Sequence, residues 1–125
     1  MGEPEQLVRQ MMAAYDNLDG DTILGLSSPD IQVVDELSRR WMRGVGELKD
    51  YFNSIPQELS NVRSTLNDVN ESVFGETAVV TYWLEQDYKV NGEPQHVSAP
   101  TTVLLRRENS AWRAVLIHTI PLAES

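Results

Sequence analysis

Apolar residues in the first half of the chain recur every three or four positions, the spacing that puts them on one face of a helix. This spacing predicts a first helix over residues 4–18, then a break at 19–21 and a short second helix for which Asp21 is a candidate cap. A third helix is predicted over residues 45–55, starting after Gly44. Each helix is amphipathic and therefore needs a second layer against which to pack.

The pattern changes from about Val62 onward to extended segments rich in β-branched and aromatic residues. Three turn signals divide this part into the four long strands of a meander: Gly75-Glu76, Asn91-Gly92 and Asn109-Ser110. An earlier hairpin is predicted from a strand over 31–35 and a return strand over 40–43. Helices followed by such strands predict an α+β fold, with three helices packed on one face of a curved antiparallel sheet.

Composition supports one domain over residues 1–125, large enough to bury a core that contains a pocket. The formal net charge of -9 repels phosphate backbones and anionic membrane surfaces, so no nucleic acid and no membrane partner is expected. No apolar stretch has the length of a membrane span or the form of a secretion signal, and a cytoplasmic location is expected. The absence of cysteine excludes disulfides and thiolate chemistry.

The standard sequence signatures of catalysis are missing. The chain has no Gly-x-Ser-x-Gly elbow, no phosphate-binding glycine loop and no His-Glu-x-x-His motif. Its two histidines, His96 and His118, lie on different predicted strands without ligand-like spacing, so no metal site is expected. No organic cofactor is implied.

Three segments carry a resemblance to a known family. They are the glycine-then-helix step at 43–52, the strand 78–85 behind Gly75-Glu76-Thr77, and the last strand from Trp112 to His118. In this order they resemble the nuclear-transport-factor-2-like superfamily, especially its SnoaL-like and ketosteroid-isomerase-like branches. The resemblance implies a cone-shaped sheet around a pocket, and a homodimer. The superfamily includes isomerases, cyclases, dehydratases, ligand binders and dimerisation modules, so function must be argued from the site.

Asp35, His118 and Tyr15 are the candidate catalytic residues. Asp35 ends an apolar run, where a carboxylate at the lip of a pocket has the raised pKa of a general base; the alternative is an ordinary turn aspartate. Strand alternation puts His118 on one face with Ala114 and Leu116, either as a polar group in the pocket or as a histidine satisfied near the sheet rim. The resemblance to ketosteroid isomerases implies the aspartate base, and Tyr15 on the first helix is a candidate hydrogen-bond donor.

Four further residues are predicted to line the pocket: Trp41, Tyr51, Tyr82 and Thr102. The aromatic ones would supply apolar walls and polar tips for a planar ligand, although each is also an ordinary core or interface residue. Tyr82 and Trp83 must point to opposite faces of their strand, and the sequence leaves open which of them faces the pocket.

Two functional hypotheses remain. In the first, the protein binds an unknown small apolar molecule, roughly planar, and acts on it by proton transfer as an isomerase, cyclase or dehydratase. In the second, it is a non-catalytic homodimerisation module whose cone is filled by its own side chains. The sequence does not decide whether the protein is an enzyme, and a homodimer is expected under both hypotheses.

Overall fold

Three helices and six strands occur in the predicted order in the computed structural model of this chain, which describes residues 2–55 and 58–122. The helices are α1 (Glu3–Asp16), α2 (Gly20–Gly25) and α3 (Gly44–Ser54). The strands are β1 (Ser27–Val34), β2 (Met42–Arg43), β3 (Leu59–Phe74), β4 (Thr77–Val90), β5 (Glu93–Glu108) and β6 (Ala111–Thr119). This architecture confirms the predicted α+β fold class. Among the helices described, none is long and apolar enough to cross a membrane.

The six strands form one curved sheet in the order β2-β1-β6-β5-β4-β3. The four long strands are an antiparallel meander as predicted, but β1 pairs with β6 in parallel, so the sheet is mixed rather than wholly antiparallel. The contact between these two strands begins where the chain leaves α2. There, the carbonyl oxygen of Leu26 accepts the Ala114 backbone N–H at 3.0 Å, which joins the start of β1 to β6.

The junction between α1 and α2 differs from the prediction by a few residues. α1 ends at Asp16, and Leu18 adopts a left-handed backbone conformation in the turn (φ 54°). Asp19, not Asp21, caps α2, because Asp19 Oδ1 accepts the backbone N–H of Thr22 at 3.2 Å. The predicted cap is therefore wrong by two residues.

Side chains on β4 alternate between the core and the outer face of the sheet. Ala78, Val80, Tyr82 and Leu84 are buried against the helices, whereas Trp83 is 39% exposed on the opposite face. Tyr82 therefore faces the interior, which answers the question that the sequence left open.

A β-bulge in β6 reverses the predicted facing of the last residues of that strand. Leu104 of β5 pairs with Leu116 while the next residue, Leu105, pairs with Ala114, so Val115 is an extra residue. Ala114 is fully buried before the bulge, and Ile117 lies on the inner face after it. The prediction that His118 shares a face with Ala114 is wrong, because it assumed uninterrupted alternation.

Candidate functional site

A small cavity of about 60 Å³ lies between the helices and the inner face of the sheet. Its wall is mostly apolar and has a polar end formed by Tyr15, Asp35, Glu36, Tyr82 and Thr119. The other lining residues are Met11, Met12, Ile23, Val33, Leu48, Phe52, Leu84 and Ile117. The volume corresponds to about two water molecules, whereas an apolar cavity known to bind benzene has about 150 Å³. A ring-sized ligand must therefore move some of these side chains.

Asp35 is buried at the polar end and its carboxylate is held by three groups. Its Oδ1 accepts the backbone N–H of Leu37 at 3.0 Å and that of Ser38 at 2.7 Å. The Tyr51 hydroxyl lies 3.1 Å from Oδ1 and 3.0 Å from Oδ2. Asp35 directly follows β1, and an aspartate commonly accepts N–H groups two and three residues ahead in a turn. The two interpretations from sequence are thus not exclusive, since this residue both forms the turn and lines the cavity.

Two tyrosines extend from Asp35 toward α1. The Tyr15 and Tyr51 hydroxyls are 3.4 Å apart, so a chain of polar groups runs from α1 through α3 to the turn after β1. Burial, together with the neighbouring carboxylate of Asp35, raises the pKa of both phenols. Both therefore stay neutral and remain hydrogen-bond donors at physiological pH. Tyr51, which was predicted to line the pocket, is not among the residues that line the cavity, and it contacts the site by donating its hydroxyl hydrogen bond to Asp35.

Glu36 is a buried carboxyl, although the sequence predicted only a polar turn at this position. Only 6% of the residue is exposed, and it lines the cavity next to Asp35. Burial, and then the negative charge of Asp35, raises the pKa of Glu36 to about 8. Burial also raises the pKa of Asp35, although its hydrogen bonds from Ser38, Leu37 and Tyr51 oppose this. The available signal was two consecutive acidic residues directly after an apolar strand.

Three predicted pocket residues lie on the outer face of the sheet. Trp41 stacks on His118, with ring centroids 5.8 Å apart and planes inclined by 25°, and Trp41 is 39% exposed. Thr102 pairs with His118 across the ladder and belongs to the outward set of β5, whereas Thr101 is buried inside. The placement of these three at the cavity is therefore wrong. The bulge at Val115 explains why His118 faces outward. Thr102 faces outward because the inward residues of β5 are its neighbours Thr101 and Val103.

The site combines two neighbouring carboxyl groups, both of raised pKa, with neutral phenols at one end of an apolar cavity. Carboxyl groups with pKa values near the working pH are effective general acids and bases. A dry environment strengthens their interaction with charge that develops on a bound molecule. Across residues 2–55 and 58–122, no three His, Cys, Asp or Glu side chains are arranged to hold a metal ion.

Several solved structures have a fold very similar to that of this chain. They include a proposed aromatic ring hydroxylase from Novosphingobium aromaticivorans (TM-score 0.88, 16% identity, 98% of this chain and 88% of that one). A proposed dehydratase of the NTF2-like family from Streptomyces avermitilis has a TM-score of 0.85 and 20% identity, covering 98% and 95%. The CaMKII hub of S. rosetta has a TM-score of 0.83 and 17% identity, covering 96% and 95%. At these identities the likeness establishes the fold alone.

None of the curated proteins matches the sequence significantly. The SnoaL-like domain family, in contrast, matches residues 5–121, which is nearly the whole chain. Together with the helices and open curved sheet described above, this match shows that the chain belongs to the SnoaL-like family of the nuclear-transport-factor-2-like superfamily.

Proposed function

We propose that this protein binds a small, uncharged and mostly apolar molecule in its cavity and catalyses proton transfer on it, as in an isomerisation, cyclisation or dehydration. The observation that carries the proposal is the buried pair of carboxyls, Asp35 and Glu36, at the polar end of an otherwise apolar cavity. Carboxyl groups are costly to bury, and their clustering in a pocket is more typical of a reactive site than of a structural core.

The cavity wall indicates the chemical class of the ligand. Most of the wall is hydrocarbon, and Asp35 would repel an anion, so a neutral molecule with one hydrogen-bonding oxygen fits best. Met11 and Met12 are flexible side chains that can repack to admit a flat ring. A pair of carboxyls can carry out the proton transfers of a dehydration. Dehydration is also the activity proposed in the name of the Streptomyces neighbour.

Thermal unfolding against a panel of steroids, polyketide-like aromatics and short acyl compounds tests this proposal. A ligand at a hundred times its dissociation constant should stabilise the protein by about 2.7 kcal/mol, a shift of several degrees. Ile117→Phe, which fills the cavity from β6, should abolish the shift. Leu116→Phe, on the outer face of the same strand, should preserve it. A flat response across the panel, or an equal shift in Ile117→Phe, would contradict the proposal.

A second candidate function is association through the outer face of the sheet. This face exposes Trp41 and Trp83, with the ring of His118 stacked on Trp41. Exposed aromatic surface of this kind is typical of interfaces, and one structural neighbour is named as a hub. We propose that two copies of this chain form a homodimer through this face, which is compatible with a ligand in the cavity because the cavity lies on the other side.

Sedimentation at micromolar concentration tests the homodimer. The wild-type protein should sediment at twice the 14.1 kDa of one chain. Trp83→Glu should sediment as a monomer, because it buries a charge in the proposed interface. Gln10→Glu is the matched control, since Gln10 is exposed on α1, on the helical side of the sheet, and it should leave the dimer intact. A wild-type protein of 14.1 kDa would refute the interface.

A further inference from the structure

Glu36 borders two spaces at once. On one side it lines the inner cavity, and on the other it lines a surface groove of about 230 Å³. The groove is bounded by residues from the turn after β1, from β4 and β5, and from the end of the chain that the structure describes, among them Arg39, Tyr88, His96 and Leu122. Glu36 therefore lies where a proton can pass between the cavity and water.

The two neighbouring carboxyls differ sharply in their hydrogen bonds. Asp35 accepts two backbone N–H groups and the Tyr51 hydroxyl, all of which stabilise its ionised form. Within the described residues, the Glu36 carboxyl receives no hydrogen bond from another residue. When two close carboxyls share one proton, the proton resides on the one whose ionised form is less stabilised. Here that carboxyl is Glu36.

The groups around Glu36 leave Asp35 as the main charge acting on it. Four tyrosines from α1, α3 and β4 lie close enough to feel the charge of Glu36. Burial first, and then nearby carboxyl charges that include Glu36, raise the pKa values of Tyr15, Tyr51, Tyr82 and Tyr88. These phenols are neutral, and the two basic residues that line the groove, Arg39 and His96, are exposed to solvent. Burial and the Asp35 carboxylate thus act together, and they raise the pKa of Glu36 to about 8.

We propose that Glu36, not Asp35, is the proton-transferring residue of this cavity, and that Asp35 is a positioning residue that anchors Tyr51 and keeps the proton on Glu36. This inference rests on the proposed function. In an isomerisation, the O–H bond of Glu36 breaks as the proton bonds to one ligand atom. The carboxylate then takes a proton from a C–H bond elsewhere on the ligand. Atoms and charge balance without another reactant, and the groove returns a proton from water if the ligand leaves between the two steps.

Carbon-13 NMR of the full-length protein, labelled at the side-chain carboxyls of Glu and Asp, tests the inference without any ligand. One Glu resonance should titrate with a midpoint near 8 and should disappear in Glu36→Gln. Glu93→Gln, which removes an exposed carboxyl on β5, should delete a different resonance. Asp35→Asn should move the raised midpoint down, because it removes the neighbouring negative charge. A Glu36 midpoint within the range of the other glutamates, or one unmoved by Asp35→Asn, would overturn the inference.

Turnover of a ligand found in the thermal panel gives a second readout. Glu36→Gln should keep the ligand-induced thermal shift and lose turnover by about 100-fold or more, the usual loss for a general acid or base. Full turnover in Glu36→Gln would refute its role even with a raised midpoint. Failure of the proposed function looks different, because the NMR midpoint would then be raised while the panel of ligands gives no shift.

Discussion

Raising the pH from about 5 to about 9 should lower the free energy of unfolding of this protein by several kcal/mol, and Glu36→Gln should remove most of that loss. The reason is that the folded state holds the Glu36 proton more tightly than the unfolded state. Urea unfolding of both proteins at intervals across this range measures the effect.

The direction follows from the two pKa values of Glu36, which are 4.5 as the ordinary value and about 8 in the folded protein. Below the ordinary value both states carry the proton, and burial of this group costs nothing extra. Between the two values the unfolded state releases the proton and the folded state keeps it, so stability falls by up to about 1.4 kcal/mol for each pH unit. Above the folded value the loss is complete, on the order of 4 kcal/mol.

Other titratable groups also change the stability of the protein with pH, and they determine which control variants are needed. Hydrogen bonds to Asp87 and Glu85 raise the pKa of His96, so its contribution to stability is also lost as the pH rises above its ordinary value of 6.5. His96 is exposed, which keeps this contribution small, and His96→Gln isolates it. Hydrogen bonds lower the pKa of Asp30 and Glu108, so their contributions are lost only at acid pH. Parallel curves for wild type and Glu36→Gln above pH 5 would contradict the prediction.

Much of the fold could be predicted because its signals are local. The turn pairs at Gly75, Asn91 and Asn109 each join neighbouring strands in the structure. Left-handed backbone at these positions suits Gly and Asn, so local chemistry was sufficient to place the hairpins. The parallel pairing of β1 with β6 joins segments about 85 residues apart, and a period of two in the sequence does not identify the partner strand.

The facing of β6 could not be predicted for a different physical reason. Residues 114–117 are all apolar, so the sequence does not show which of them face the core. A bulge at Val115 therefore leaves no trace in the pattern of apolar and polar residues. The predicted position of His118 depended on that phase. Glu36 was missed because its burial comes from residues distant in sequence, including the inward faces of β4, and a polar turn in the sequence gives no sign of them.

Asp35 and Tyr15, by contrast, lie at the cavity as the sequence suggested. Each follows a local pattern that fixes its direction. Asp35 directly follows the apolar end of β1, in a turn of the kind that aspartate commonly forms, and Tyr15 lies on the buried stripe of α1 with Met11 and Val8. Whether either residue takes part in a reaction is a separate question, which the variants of Asp35 address.

Replacing Asp35 by Ala should lower the free energy of unfolding by about 3 kcal/mol, because two backbone N–H groups and a buried hydroxyl lose their acceptor. Asp35→Asn should cost about 1 kcal/mol or less near neutral pH, since its amide oxygen still accepts the turn N–H groups and a buried charge is removed. Tyr51→Phe removes one hydrogen-bond partner of Asp35, and its loss of unfolding free energy should lie between those of the two Asp35 variants. Urea unfolding at pH 7 measures all three.

The pH dependence of Asp35→Asn separates the anchoring role from the electrostatic one. Above about pH 8 the wild-type protein must bury two neighbouring charges, whereas Asp35→Asn buries only that of Glu36. The asparagine variant should therefore gain stability relative to wild type as the pH rises, while the alanine variant remains the less stable of the two because its turn is still uncapped. If Asn proves as costly as Ala at every pH, the Asp35 charge itself holds the turn together, and the carboxyl pair does not share a single proton at neutral pH.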